Sequence, residues 1–133
     1  PYTTLFRSVA GVSDLRRFVG WSAQQTGRRD GSAVRYWNRF MGAERLGDRS
    51  LDERSPARLA DRVTIPVLLI HGRDDTVVPI EQSRIMANAL RDTANPGRLI
   101  EMTGEDHWLS RAETRLATLE ETIAFLLANN PPD

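Results

Sequence analysis

Cysteine and lysine are both missing from these 133 residues, and only two histidines occur. Without cysteine there is no disulfide framework and no thiolate chemistry, and two histidines do not make a zinc site of the usual kind. No metal or cofactor is therefore expected. Net charge is absent as well, since 18 arginines balance 18 acidic residues. That removes the electrostatic case for a nucleic-acid or anionic-membrane partner. Arginine codons are GC-rich, so the all-arginine basic set reads as genome composition rather than as anion binding. The apolar runs are far too short to span a membrane, and a soluble protein of unassigned compartment is expected. One further absence matters most: Gly-x-Ser-x-Gly occurs nowhere in the chain.

What remains is ordinary globular material, 40% hydrophobic and 27% charged, enough for one small domain or a piece of a larger one. Val9 to Val12 reads as the end of a strand, and Ser13-Asp14 as an N-cap. Leu15, Phe18, Val19 and Ser22 suggest a short amphipathic helix, followed by a polar loop from Gln24 to Gly31. Ala33 to Met41 has helical spacing, with Gly42 as its stop. Gly47 to Glu53 reads as irregular, and Ser55-Pro56 opens a short helix to Asp61. Val63 to Ile70 is apolar without alternation, the pattern of a parallel strand buried on both faces. Pro79 starts a helix with Ile85, Met86, Ala89 and Leu90 inward. Arg98 to Met102 is a third strand. Ser110 to Glu113 has capping-box spacing, opening a last helix with Leu116, Leu119, Ile123 and Leu126 on one side. Asn129 to Asp133 should fray. Strands alternating with helices predict an α/β layer of about three parallel strands with right-handed crossovers.

Two loops carry the chemistry. His71-Gly72-Arg73-Asp74-Asp75-Thr76-Val77-Val78-Pro79 follows the second strand, and Gly104-Glu105-Asp106-His107-Trp108 follows the third. In a parallel sheet such loops lie at the carboxyl ends of the strands, where active sites collect. A carboxylate on one and an imidazole on the other are two members of a Ser-Asp-His triad, in that chain order. The carboxylate would fix the imidazole tautomer, leaving the second ring nitrogen as general base. Asp74 and Asp75 both compete for the acid position. His71 reads as structural, bonding loop backbone, Arg73 as a solvated side chain and Ser110 as a helix cap. Gly20-Trp21-Ser22-Ala23-Gln24 imitates a nucleophile elbow, but a helical lead-in and Gln24 in place of glycine argue against Ser22.

From about Val9 to Pro132 the chain resembles the catalytic domain of the prolyl oligopeptidase family of serine peptidases, with the dipeptidyl-peptidase and acylaminoacyl-peptidase branches nearest. The matching segments are Val9 to Asp14, Arg35 to Gly42, Ser55-Pro56-Ala57, Val67 to Gly72, Asp75, Gln82-Ser83 and Gly104 to Trp108. His-Gly-x-x-Asp is shared by many α/β-hydrolases; the Arg-Tyr-Trp…Phe-Met-Gly segment together with Gly-Glu-Asp-His-Trp is more particular. The resemblance implies Asp75 as triad acid and His107 as base, with a peptide substrate. It also implies a specificity pocket to which Val12, Leu15, Phe18, Tyr36 and Val78 correspond; ordinary core packing is the competing reading for each. The family's nucleophile elbow, oxyanion-hole donors and β-propeller have no counterpart in the sequence. The chain is thus expected to be the C-terminal part of an α/β-hydrolase peptidase domain, residues 9–133, cut off after its nucleophile and inactive by itself. An esterase or dienelactone-hydrolase type of α/β-hydrolase, or a catalytically dead accessory piece, is the alternative. Finally, Pro1-Tyr2-Thr3-Thr4-Leu5-Phe6-Arg7-Ser8 matches a translated sequencing-adapter end. Residues 1–8 are therefore expected to be an artefact that adds no packing.

Overall fold

The computed structural model describes residues 5–130. Half of the adapter-like octapeptide and the last three residues of the C-terminal tail lie outside that range. Strands β1 (Phe6–Val9), β2 (Val67–Gly72) and β3 (Arg98–Met102) form a parallel sheet in the order β1-β2-β3. Helices α1 (Leu15–Thr26) and α2 (Ser32–Met41) and two 3₁₀ helices, Arg49–Arg54 and Pro56–Arg62, connect β1 to β2. Helix α3 (Glu81–Arg91) connects β2 to β3, and α4 (Ala112–Asn129) follows.

The unbroken apolar run of β2 has a simple cause. Side chains alternate along a strand, and here each set meets its own helix. Val67 and Leu69 pack with Leu90, Met86 and Ala89 on the α3 side. Leu68 and Ile70 pack with Met102 and Phe125 on the α4 side. A third cluster, Val19, Ala23, Val34 and Leu51 with Leu15 and Trp37, joins α1 to α2 away from the sheet. Asp14 caps α1 through Arg17 N–H at 3.0 Å. Gly27 and Gly42 end α1 and α2 in the left-handed conformation, which glycine adopts without strain.

Several expectations are corrected. The first strand is Phe6–Val9 rather than residues 9–12: Phe6, Arg7, Ser8 and Val9 pair with Val67 through Ile70, and Ala10 breaks the strand at φ 50°. Phe6 to Ser8 therefore do pack, and Leu5 lies against the α4-side cluster. Helix α1 runs on to Thr26, shortening the expected loop, and residues 49–54 are helical rather than irregular. Ser55 does not cap the second 3₁₀ helix with its side chain; its hydroxyl donates to the Leu51 carbonyl and accepts from Leu15 N–H. Pro66 precedes β2 instead of lying in it, and its carbonyl accepts from Phe6 N–H.

Helix α4 differs most. The side carrying Leu116, Leu119, Ile123 and Leu126 is exposed, while Thr118 and Phe125 are buried. The helix is apolar on two faces, and the sheet covers only one. No helix among the described residues is long and apolar enough to cross a membrane.

Candidate active site

In register, Gly72 at the end of β2 faces Met102 at the end of β3, so both loops leave the sheet at one level. Backbone bonds then stitch them together. Arg73 N–H donates to the Met102 carbonyl at 2.9 Å, and Asp74 N–H to the Glu105 carbonyl at 3.0 Å. Gly72 makes this approach possible: a Cβ there would lie 2.4 Å from the Glu105 oxygen and 2.5 Å from that of Asp106.

Across the seam, Asp75 Oδ2 lies 2.8 Å from His107 Nδ1. Of the two adjacent carboxylates it is Asp75 that reaches the imidazole. Asp74 is exposed. Oδ1 of Asp75 accepts from the N–H groups of Val77 and Val78, both at 2.8 Å, so the carboxylate is buried with both oxygens engaged. His107 is partly open, its side chain 27% exposed. Since a carboxylate accepts, Nδ1 donates, which leaves Nε2 as the ring nitrogen available for proton transfer. His71 is fully buried. Its Nδ1 lies 2.7 Å from Ser83 Oγ, and its Nε2 lies 2.9 Å from the Val78 carbonyl and 3.2 Å from Asp75 Oδ2.

The histidine loop is held by two acids. Glu105, 1% exposed, accepts from Asp106 N–H, Arg111 N–H and the Thr114 hydroxyl. It thereby places a carboxylate at the start of α4, where the helix dipole favours it. Asp106 accepts from Trp108 N–H, Ser110 N–H and the Ser110 hydroxyl, the last at 2.6 Å. The Ser110 hydrogen bond leads the set that holds the Asp106 carboxyl below its usual range. Ser110 is thus a loop tie and not the expected helix cap; α4 begins at Ala112. Behind the site, Arg84 and then Arg73 hold the β3 residue Glu101 down to about 2 by hydrogen bonds and charge.

The five expected pocket residues are spread out. Val78 is buried with its N–H on Asp75. Phe18 and Leu15 belong to the packing of α1, Phe18 being 2% exposed. Phe18 also links Trp21 to Trp37 by ring contacts, and Trp37 continues to Tyr36 and Phe40, both exposed on α2. Val12 lines an apolar cavity of about 560 Å³ with Phe6, Pro56, Leu59 and Met86, which holds none of the other four. A smaller cavity of about 260 Å³ lies between α1 and the acid loop, bounded by Trp21, Gln25, Arg73, Asp75 and Pro79. Ser22 is buried in the middle of α1. No group of three or more His, Cys, Asp or Glu among the described residues is placed to hold a metal.

Two further residues, Gln82 and Glu105, support the site. Gln82 Oε1 accepts from Ser13 and Asp14 N–H at 3.0 and 2.8 Å, tying the β1–α1 turn to α3. Its signal was a polar residue in the apolar stripe Gln82, Met86, Leu90, since a buried amide requires partners. Glu105 carries no such periodic signal.

A three-stranded parallel layer with acid and imidazole on adjacent carboxyl-end loops is part of an α/β-hydrolase fold. The chain belongs to the prolyl oligopeptidase family, whose model matches residues 5–130. It is 30% identical over 87 residues to a probable dipeptidyl-peptidase 5 of Aspergillus terreus, covering 65% of this chain and 12% of that protein. An uncharacterized peptidase, YuxL, of Bacillus subtilis is 30% identical over 105 residues, 78% of this chain and 13% of that one. The structure of a puromycin-hydrolyzing peptidase of Mycobacterium tuberculosis superposes with a TM-score of 0.74 at 32% identity, covering 95% of this chain and 18% of that one. The chain therefore spans about an eighth of the length of these two curated relatives.

Proposed function

We propose that this chain supplies the acid, Asp75, and the base, His107, of a serine peptidase triad acting on short peptides. The observation that carries this reading is the 2.8 Å bond from His107 Nδ1 to a buried, fully engaged Asp75 carboxylate. In the reaction His107 Nε2 takes the serine proton as Oγ attacks the peptide carbonyl. Asp75 stabilises the imidazolium that results, and His107 then returns the proton to the departing amine. Water repeats the sequence to release the acyl group. The serine belongs to a longer gene product, which by family carries a nucleophile elbow and a β-propeller upstream. Residues 9–133 are its C-terminal peptidase segment, and residues 1–8 derive from adapter sequence. Of the expected pocket residues, Phe18 and Tyr36, joined through Trp37 in the aromatic series from Trp21 to Phe40, contribute to the pocket for the residue preceding the cleaved bond.

A serine-directed phosphonate probe tests this on the purified chain. No serine should be labelled, and no peptide or ester hydrolysed. The longer gene product should label at one upstream serine. Stoichiometric labelling of Ser22, or of any other serine in this chain, would overturn the assignment.

A further inference from the structure

The acid–base pair leaves a fully buried imidazole beside it unused. His71 is the other histidine of the chain, and it lies on the face of β2 that meets α3, two residues beyond Leu69. A carbonyl oxygen only accepts, so the 2.9 Å contact with Val78 puts a proton on His71 Nε2. With Nε2 carrying a proton, Nδ1 is the site for the Ser83 hydroxyl proton at 2.7 Å. Those two bonds alone would satisfy a buried imidazole. Yet Nε2 also lies 3.2 Å from Asp75 Oδ2, the oxygen that His107 uses. Val78 is held twice in the same arrangement, by its N–H to Asp75 and by its carbonyl to His71.

We infer that His71 is a positioning residue for the Asp75–His107 pair: its Nε2–H is held by the Val78 carbonyl and stands 3.2 Å from Asp75 Oδ2, where its dipole acts on that oxygen. This rests on the reading of Asp75 and His107 given above. Through Val78, whose carbonyl it holds and whose N–H binds Oδ1, His71 fixes the carboxylate, and its nearby N–H dipole draws off part of the charge that Oδ2 offers to His107. Ser83 sets the tautomer by occupying Nδ1. Removing the donor would leave Oδ2 a stronger acceptor, and the bond from His107 Nδ1–H would shorten.

With only two histidines, imidazole ¹⁵N and low-field ¹H spectra of the chain at neutral pH resolve both rings. In the unsubstituted chain His71 should be the Nε2–H tautomer and His107 the Nδ1–H tautomer, with a hydrogen-bonded Nδ1 proton at low field. His71→Asn removes the Nε2 donor and should move the His107 Nδ1 proton further downfield. His71→Gln, whose amide nitrogen reaches the Nε2 position, should bring it back toward its original place. A His107 proton that is unmoved in both variants would overturn the inference, as would an Nδ1–H or doubly protonated His71, which requires no variant to detect. Asp75→Asn separates the two levels: it should abolish the low-field His107 signal. If it does not, the acid–base reading fails and the His71 role with it. If it does while His71→Asn has no effect, only the His71 role fails.

Discussion

At the scale of single residues, carboxylates do most of the organising, each differently. Glu105 is buried without a cation and is satisfied by two N–H groups and a hydroxyl. Hydrogen bonds to a charged group contribute about 1.5–3 kcal/mol, so Glu105→Gln should destabilise the chain by about 2 kcal/mol in denaturant melts. Glu101 lies on the α3 side of the sheet, where Arg84 reaches it. Its carboxyl sits at about 2, below its usual 4.5, because Arg84 and Arg73 bind it. A depressed carboxylate stabilises the fold above its unfolded pKa and loses that contribution as pH falls from about 4.5 toward 2. Melting temperature followed over that window should therefore fall less steeply in Glu101→Gln than in the unsubstituted chain. Added salt should narrow the difference, since both arginines are half-exposed. Asp75 was legible as a site residue because its loop follows a buried strand. Its preference over Asp74 rested on resemblance, since only the turn that puts Val77 and Val78 N–H on Oδ1 decides which carboxylate faces inward.

Among the elements, β1 and α4 are where the sequence was hardest to read, and both are cases of partial burial. Strand β1 is an edge only four residues long, with Phe6 exposed, so no apolar run marks it, whereas the two-sided β2 was plain. Its pairing with β2 gives residues 6–9 a structural load whatever the origin of their codons. A chain beginning at Val9 loses three of the four paired positions, and should lose more than about 1 kcal/mol relative to the full chain in matched melts. For α4, the sequence marks Leu116, Leu119, Ile123 and Leu126 as one apolar side. The sheet instead takes the narrower face of Ala117, Thr118 and Phe125, flanked by the Arg98–Glu121 ion pair and the Arg7–Thr122 hydrogen bond. Periodicity gives the number of apolar faces on a helix but not which one its neighbours cover. Replacing exposed Leu119 and Ile123 together by Gln should leave stability within about 1 kcal/mol, two surface increments, and raise the solubility limit measured by light scattering.

The molecule as a whole is a layer whose two functional loops are joined at a seam one glycine wide. Parallel register brings β2 and β3 to the same edge, and that much follows from strand spacing in the sequence. The closeness of the seam does not, because it depends on where the Glu105 and Asp106 carbonyls point. Gly72→Ala places a Cβ within 2.4 Å of backbone oxygen. It should cost about 3 kcal/mol, the upper end of overpacking effects, and separate Asp75 from His107. The central claim, that this seam holds the acid and base of a peptidase, is tested most directly by comparing Asp75→Asn with Asp74→Asn in the longer gene product. Peptide hydrolysis should fall about 10⁴-fold in kcat for Asp75→Asn, the scale for a triad acid made unable to orient its histidine, while Asp74→Asn keeps nearly full activity. Equal activity in the two variants, or the larger loss in Asp74→Asn, would contradict it.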